Sequence, residues 1–202
     1  MKRRLVTISA AAIVVGLMVW LGVLGWRHYA GLPRNFSVVS PGILYRAGQG
    51  SGPQLRRAIT RYHLKTLVCL RRVNEDANPR WFQEEQAVAR ELGVEFVHCP
   101  LTSDTLGDDA MWNRLLGLTL DPARRPVLVH CARGELRTGF FCALYRMVVD
   151  GWPREKALSE MAHFGYDLNG HPTAVEALKH FDVKRARTKL RVTSRPKTET
   201  GR

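Results

Sequence analysis

The chain has 202 residues, 45% of them hydrophobic, which is enough for one folded domain with its own core and excludes a disordered protein. Lysine and arginine outnumber aspartate and glutamate by 31 to 18, so the formal net charge is +13. That charge favours anionic partners, whether phosphorylated molecules, nucleic acid or anionic lipid, without choosing among them.

The N-terminal segment is dominated by an apolar run. Residues 5–26 contain no formal charge, and as a helix they would be about 33 Å long, enough to cross a bilayer. A secretory signal would be shorter and would end in small residues, yet His28 lies where such a cleavage site needs one. We therefore predict an uncleaved transmembrane anchor over 1–26 and a single-pass membrane protein. The basic MKRR start favours a non-cytoplasmic position for the domain that follows.

Strand-like and helix-like segments alternate after a predicted linker over residues 27–40. The β-rich runs are ILYR, TLVCL, VEFVH and PVLVH, at residues 43–46, 66–70, 94–98 and 126–130. Between them, PQLRRAITRYHL and WFQEEQAVARELG place apolar residues at helical spacing. The alternation predicts an α/β domain over 41–182, with a mainly parallel sheet and helices on its faces. The basic segment 183–202 has no apolar period and is predicted to be a flexible tail.

The segment HCARGELRTG follows the fourth strand-like run and opens a helix. A loop in this place aims backbone N–H groups and the positive end of a helix dipole at one small volume, which suits a tetrahedral oxyanion. The same field favours the thiolate of Cys131 and makes its sulfur nucleophilic. Gly134 permits the tight turn, and the planar fork of Arg137 can hold two phosphoryl oxygens. Thr138 can donate a hydrogen bond to the sulfur, and His130 is expected beneath the loop as an orienting partner.

The motif HCxxGxxRT, present here as HCARGELRT, resembles the signature of the cysteine-based phosphatases, the protein-tyrosine and dual-specificity group. NFSVVSPGILYRAGQ, LKTLVCLR and RTGFFCALYRMVVDGWPREKALSEM are similar to segments of the compact atypical dual-specificity phosphatases. The resemblance covers residues 35–167. It implies a three-layer α/β sandwich, a two-step hydrolysis through a phosphocysteine without metal or other cofactor, and an aspartic general acid upstream. The expected substrate-binding residues of the loop are Ala132, Arg133, Gly134, Glu135 and Leu136.

The upstream acid is sought in CPLTSDTLGDDAM, the segment after the third strand-like run. Asp108 and Asp109 lie where a helix favours an N-cap and a first-turn acid. Asp104 has no such role. We therefore predict Asp104 as the proton donor, with Asp108 as the alternative.

Glu135 bears on the substrate, since many relatives have a basic residue at this position of the loop. A carboxylate at the rim repels a polyanion, although Arg46, Arg71, Arg72 and Arg133 could offset it. Arg46 and Arg71 are predicted to bind substrate as well. The substrate predicted is phosphotyrosine, with phosphoserine and phosphothreonine as further candidates. Inositol phosphates or phospholipid head groups are the alternative.

Three functions from other classes were weighed against the phosphatase. They are a catalytically inactive phosphoprotein-binding module, a rhodanese-like sulfurtransferase and a nucleic-acid binder. No nucleic-acid partner is expected, because the basic tail lacks interleaved aromatic residues.

The cysteines suggest no zinc site. The tripeptide VHC occurs twice, but adjacent residues of a strand point to opposite faces, so neither pair can present both side chains to one metal. Cys69 and Cys99 also end strands of the predicted sheet, which makes either a candidate for a reversible disulfide with Cys131. Cys142 is predicted to be a small buried core residue.

Overall fold

The computed structural model describes residues 2–77, 79–170 and 172–191, without the side chains of residues 2–11, 27–30, 103 and 104. The strands are β1 (Ser37–Ser40), β2 (Leu44–Gly48), β3 (Thr66–Cys69), β4 (Glu95–His98) and β5 (Val127–Cys131). The α-helices are α1 (Lys2–Ala30), α2 (Gly52–Tyr62), α3 (Arg80–Glu91), α4 (Asp109–Leu120), α5 (Leu136–Tyr145), α6 (Arg154–His163), α7 (Thr173–His180) and α8 (Val183–Leu190). Short 3₁₀ turns occupy Val73–Glu75, Ser103–Gly107 and Pro122–Arg124, and a π-helical turn, Arg146–Asp150, continues α5.

The five strands form one mixed sheet in the order β1-β2-β5-β3-β4. The pairs β2–β5, β5–β3 and β3–β4 are parallel, as crossover helices require, whereas β1 pairs with β2 antiparallel. The antiparallel pair arises because only a tight turn, closed by a 3.0 Å hydrogen bond from Ile43 N to Ser40 O, joins its strands. The predicted α/β fold with a helix-flanked sheet is confirmed. Its first strand, however, comes from residues assigned to the linker.

Helices cover both faces of the sheet, which makes three layers. On one face α2 and α3 bury Leu55, Ile59 and Val88 against Leu67 and Leu128 of the strands. The opposite face is covered by α4 to α8, whose largest buried aromatic residues are Trp112, Phe140, Phe141 and Tyr145. Strand β5 is buried along its whole length because it lies between two strands and two helical layers.

The predicted membrane anchor is not supported by the structure. No helix in the described part of the chain combines the length and apolarity needed to cross a bilayer. The predicted single-pass membrane localisation is therefore wrong, and the predicted anchor over 1–26 and the predicted membrane partner are not supported.

The predicted tail also begins too early. Residues 183–190 form α8, and Asp182 is its N-cap residue. The Asp182 carboxylate accepts a hydrogen bond from Arg185 N at 2.9 Å. Ala186 is buried, and Arg187 donates to the carbonyl oxygens of Met147 and Val148. The helix therefore packs on the domain despite its basic composition. The rest of the predicted tail, residues 192–202, lies outside the described residues.

Candidate active site

A loop of residues 132–135 joins β5 to α5 at the middle of the sheet. Gly134 has a φ of +78°, and a Cβ there would lie 2.7 Å from Ala47 O and from Gly48 N. A Cβ on Gly48 would lie 2.8 Å from the carbonyl group of Arg133. The two glycines therefore let the loop lie directly against the end of β2, which larger residues would prevent.

Cys131 stands where β5 enters this loop. It is only 3% exposed, and its sulfur accepts a hydrogen bond from Gly134 N at 3.3 Å. Burial on its own raises the pKa of the Cys131 thiol. Hydrogen bonds from the hydroxyl and backbone N–H of Thr138, the charge of Arg137 and the Gly134 N–H outweigh burial and lower that pKa below its ordinary value. The thiolate is thus favoured, as predicted for a nucleophile.

Thr138 and Arg137 lie in the first turn of α5. Thr138 is fully buried, and besides its hydrogen bonds to Cys131 its hydroxyl lies 3.5 Å from Ala47 O. The NH1 group of Arg137 donates to the carbonyl oxygens of Leu70 and Leu101, each at 3.2 Å. Arg137 is therefore bound to the residues that follow β3 and β4. Its side chain lies in the cleft above the loop.

Glu75 is one of the cleft residues that the sequence did not predict. Its carboxylate pairs with both terminal nitrogens of Arg137, with 3.0 Å between NH2 and Oε2 and a shorter contact to NH1. Burial raises the pKa of Glu75, but the hydrogen bond from Arg137, with help from Arg72 and Arg71, lowers that pKa overall. A signal was present, because Glu75 lies in RRVNED directly after β3, at the carboxyl end of a parallel strand.

The described partners of Arg137 occupy one edge of its guanidinium. All four hydrogen bonds in the described part of the chain use NH1 or NH2, and Nε donates to none of these residues. A guanidinium offers two planar edges for paired acceptors, one of which is formed by Nε with a terminal nitrogen. Glu75 takes the NH1–NH2 edge, so the Nε edge is the one that can bind a second pair of oxygens.

His130 lies beneath the loop, on the face covered by α2 and α3. Its Nε2 is 2.5 Å from Oε1 of Glu85, and both side chains are fully buried. Burial alone lowers the pKa of His130, but the Glu85 carboxylate and the adjacent Cys69 raise that pKa well above its ordinary value. The carboxylate of Glu85, from α3, therefore favours the protonated form of the predicted orienting residue.

Cys69, Glu85 and His130 form the one group of metal-ligand type found among the described residues, with ligand atoms within 4.8 Å of one another. Two nitrogen or oxygen ligands of a tetrahedral zinc ion, each about 2.0–2.1 Å from the metal, would lie about 3.3 Å apart. The 2.5 Å separation of His130 Nε2 and Glu85 Oε1 is shorter than that, and it is the distance of a buried ion pair. The contact between these two residues is therefore an ion pair of histidine with a carboxylate.

The rim of the cleft, whose volume is about 580 Å³, is formed by the loop and two other segments. Its lining residues are Glu75, Cys131, Ala132, Arg133, Glu135, Leu136, Arg137, Gly165, Tyr166 and Asp167. Of the loop residues predicted to bind substrate, Ala132, Arg133, Glu135 and Leu136 line the cleft, whereas Gly134 is buried and does not. Gly165, Tyr166 and Asp167 follow α6 and were not predicted.

Glu135 does not project freely into the cleft. Its carboxylate is 2.6 Å from Arg34 and 3.9 Å from Arg133, and the side chain is 15% exposed. The two arginines partly neutralise its charge.

Two of the arginines predicted to bind substrate lie elsewhere. Arg46 is 1% exposed and lies beneath the loop, where its NH2 donates to Gly134 O. Arg71 is 6% exposed, packs over the ring of Trp81 at 4.1 Å and pairs with Asp76. Neither lines the cleft, because both side chains are covered by neighbouring elements of the fold.

The candidate acids have separate positions. The backbone of Asp104 belongs to the 3₁₀ turn Ser103–Gly107, and its side chain lies outside the described residues. Asp108 caps α4 by accepting from Met111 N at 3.0 Å, and it lines another cavity together with Cys99. Asp109 lies in the first turn of α4 and lines neither the cleft nor that cavity. The capping role assigned to Asp108 is confirmed, and Asp104 remains a prediction.

The other cysteines lie in different surroundings from the nucleophile. Cys69 pairs with His130 and faces α2 and α3, whereas Cys131 packs into the cluster on the opposite face. Cys99 is half-buried beside a different cavity. Cys142 is fully buried in the core as predicted, and burial raises its pKa to about 11.

Comparisons with known proteins agree with this geometry. A family model described as "Tyrosine phosphatase family" matches residues 32–197. The dual specificity protein phosphatase TpbA of Pseudomonas aeruginosa is 36% identical over 141 residues, which cover 70% of this chain and 59% of TpbA. The tyrosine-protein phosphatase-like protein OCA2 of Saccharomyces cerevisiae is 29% identical, over 59% of this chain and 60% of that protein. The chain thus spans about three fifths of the length of these relatives.

Solved structures are similar over most of the domain. The crystal structure of P. aeruginosa TpbA superposes with a TM-score of 0.64 and 30% identity, covering 78% of this chain and 91% of that one. The catalytic core of the S. cerevisiae PP-IP phosphatase SIW14 has a TM-score of 0.61 at 23% identity, covering 78% of this chain and 93% of that one, which shows a shared fold. Since the family model spans most of the chain, including β5, the loop after it and α5, the protein belongs to the tyrosine phosphatase family.

Proposed function

We propose that the protein hydrolyses phosphomonoesters through a phosphocysteine on Cys131, with phosphotyrosine as the preferred substrate. The main support is the Cys131 sulfur, which is 3% exposed and accepts a hydrogen bond from Gly134 N at 3.3 Å at the entrance of the loop. Phosphoserine and phosphothreonine are further candidates.

In the first step the Cys131 thiolate attacks phosphorus in line with the leaving oxygen. The sulfur–phosphorus bond forms as the phosphorus–oxygen bond breaks, and Asp104 donates its proton to the departing oxygen. The loop N–H groups and the Nε edge of Arg137 hold the three equatorial oxygens, where negative charge is spread in the transition state. Because Glu75 keeps the guanidinium plane fixed, this edge is oriented before the substrate arrives.

In the second step water attacks the phosphocysteine. The Asp104 carboxylate takes a proton from that water, the sulfur–phosphorus bond breaks, and Cys131 leaves as the thiolate. Thr138 donates hydrogen bonds to the sulfur through its hydroxyl and backbone N–H, which stabilise the leaving thiolate. The factors that make the sulfur a nucleophile thus also make it a good leaving group.

The charges around the cleft support a monophosphorylated substrate. Glu75, Glu135 and Asp167 bring carboxylates to the cleft, beside Arg133 and Arg137. One phosphoryl group at the loop is matched by Arg137 and the N–H groups, but further phosphates would meet those carboxylates. A variant of TpbA has been solved in complex with pTyr, which is consistent with this choice.

The full chain should release phosphate from p-nitrophenyl phosphate and from a phosphotyrosine peptide. Acid quenching during turnover should trap one phosphoryl group on the peptide that contains Cys131, detected by mass spectrometry. A phosphopeptide bound without phosphate release would instead identify an inactive binding module. Sulfur transfer from thiosulfate without phosphate release would identify a sulfurtransferase.

Reversing the charge of Glu135 should change the substrate preference. At about 8 Å and an effective dielectric constant of 20, two unit charges interact by about 2 kcal/mol, which is more than tenfold in an equilibrium constant. We expect Glu135→Lys to raise kcat/KM for an inositol polyphosphate, relative to a phosphotyrosine peptide, by about 10-fold or more.

Glu91→Lys is the matched control for Glu135→Lys. It makes the same charge change on the surface of α3, where Glu91 pairs with Arg56 far from the cleft. The ratio of the two kcat/KM values should stay at the wild-type level in this control. An unchanged ratio in Glu135→Lys would show that Glu135 does not select the substrate.

A further inference from the structure

The three carbonyl groups that follow Cys131 in the loop are all bound from outside. Ala132 O accepts from the backbone N of Gln49 at 3.0 Å. Arg133 O accepts from Nδ2 of Asn35 at 3.0 Å. Gly134 O accepts from NH2 of Arg46 at 2.5 Å. The donors come from the segment before β1, from β2 and from the loop after it.

These hydrogen bonds determine where the next N–H groups point. In a trans peptide the carbonyl of one residue and the N–H of the next point in opposite directions. Because these three carbonyls point away from the centre of the loop, the N–H groups of Arg133, Gly134 and Glu135 point toward it. One of these is visible directly, because Gly134 N donates to the Cys131 sulfur at 3.3 Å.

The guanidinium of Arg46 is buried beneath the loop with only part of its hydrogen-bonding capacity used in the described part of the chain. It is 1% exposed, its guanidinium lies 3.6 Å from the ring centroid of Phe164, and NH2 donates to Gly134 O. Its Nε and NH1 are buried and have no hydrogen-bond partner among the described residues. Burying an arginine with unpaired donors lowers the free energy of unfolding. We therefore expect Arg46 to have a role in function that offsets this cost.

Asn35 supports the same structure from the other side. Its Nδ2 bridges Arg133 O and Phe164 O, at 3.0 and 3.1 Å, and thus connects the loop to the residue that stacks on Arg46. Asn35 has a φ of +54°, a left-handed conformation that asparagine tolerates better than most residues. Two side chains that are distant in sequence from the loop thus donate hydrogen bonds to consecutive carbonyls of the loop.

We infer that Arg46 and Asn35 are positioning residues that turn the loop N–H groups toward the phosphoryl group, through the Gly134 and Arg133 carbonyls. They bind no substrate atom themselves. The inference rests on the proposed function, since it assigns the inward N–H groups to the phosphoryl oxygens. It gives Arg46 a role beneath the loop in place of the substrate contact predicted for it.

The test compares full-length Arg46→Met and Arg46→Lys with the control Arg61→Met. Arg61 also lies over an aromatic ring, that of Tyr62, but on α2 and away from the loop. The measured quantities are the dissociation constant for tungstate, a tetrahedral oxyanion, and kcat for p-nitrophenyl phosphate. Thermal melting reports folding.

Arg46→Met should weaken tungstate binding by about 10-fold to 100-fold, the range for a hydrogen bond from a charged group. Arg46→Lys should recover part of the loss, because an ammonium can donate to Gly134 O but cannot stack flat on Phe164. Arg61→Met should bind tungstate as the wild type does. A folded Arg46→Met with wild-type tungstate affinity, even at a lower melting temperature, would overturn the inference.

Asn35→Asp tests the positioning role of these residues independently, and it is needed if Arg46→Met does not fold. Aspartate has the same shape and tolerates the same φ, but its carboxylate cannot donate to Arg133 O. Tungstate binding should weaken by about 10-fold or more, and unchanged binding would overturn the inference. A wild-type chain that neither binds tungstate nor releases phosphate would instead contradict the proposed function.

Discussion

Cys131→Ser should abolish phosphate release from p-nitrophenyl phosphate, with a loss of about 10⁴-fold or more in kcat, as expected when an enzyme loses its nucleophile. The loop lowers the pKa of the Cys131 thiol and so extends the pH range of the thiolate, but a serine hydroxyl starts from a far higher pKa and stays protonated. Serine is nearly the same size, so the buried site should keep its shape. Tungstate binding and the melting temperature should therefore remain close to those of the wild type.

Cys142→Ser is the matched control. Cys142 is also buried and lies on α5, but burial raises its pKa to about 11 and it does not line the cleft. This variant should lose some stability and keep its turnover per folded molecule. Retained turnover in Cys131→Ser would refute the phosphocysteine mechanism.

The lowered pKa of Cys131 also determines the pH dependence of the first step. The reactive form is the thiolate, which exists above that pKa, and a lowered pKa extends its range toward lower pH. Alkylation of Cys131 by iodoacetate, followed as a function of pH, should therefore remain fast below the pH at which an ordinary thiol becomes protonated.

Asp104→Ala should lower kcat by about 10²-fold for phenyl phosphate, whose leaving group needs a proton. The loss should be much smaller for p-nitrophenyl phosphate, because p-nitrophenolate departs without one. The ratio of kcat for the two substrates therefore isolates the proton donor from other effects of the substitution. The backbone of Asp104 lies in the turn Ser103–Gly107, which closely follows Leu101 in the chain. The carbonyl of Leu101 binds Arg137, so this position is consistent with a proton donor near the site.

Asp108→Ala is the control for Asp104→Ala. Asp108 caps α4, and removal of an N-cap carboxylate costs about 1 kcal/mol of unfolding free energy. We expect a lower melting temperature and an unchanged ratio of kcat values for the two substrates. The opposite pattern, with the leaving-group effect in Asp108→Ala, would make Asp108 the general acid.

Local sequence was sufficient for the nucleophile and its loop. Cys131, Gly134, Arg137 and Thr138 lie within eight consecutive residues, and the backbone itself brings them together at a strand-to-helix junction. Four of the five strands and most helices were predictable for a similar reason, since their apolar periods reflect which face each one buries. The cap at Asp108 was also visible in the sequence, as an acid before an apolar helix.

The errors came where apolarity or charge was judged without the packing around it. The apolar run near the N-terminus predicts a membrane anchor, although no described helix has the length and apolarity for one. The basic residues 183–190 predict a flexible tail, yet Arg187 donates to the carbonyls of Met147 and Val148. The charges of Arg46 and Arg71 predict substrate contacts, but both side chains are buried outside the cleft.

The sequence by itself determined the catalytic loop and the alternation of strands and helices, because both depend on residues close together in the chain. Only the tertiary structure decided which distant residues complete the site. Glu75 reaches Arg137, Glu85 reaches His130, and Arg46 reaches the loop carbonyl of Gly134 because the parallel strands bring separate crossovers together around one central strand. These pairs are 45 to 88 residues apart, and no local periodicity encodes such contacts.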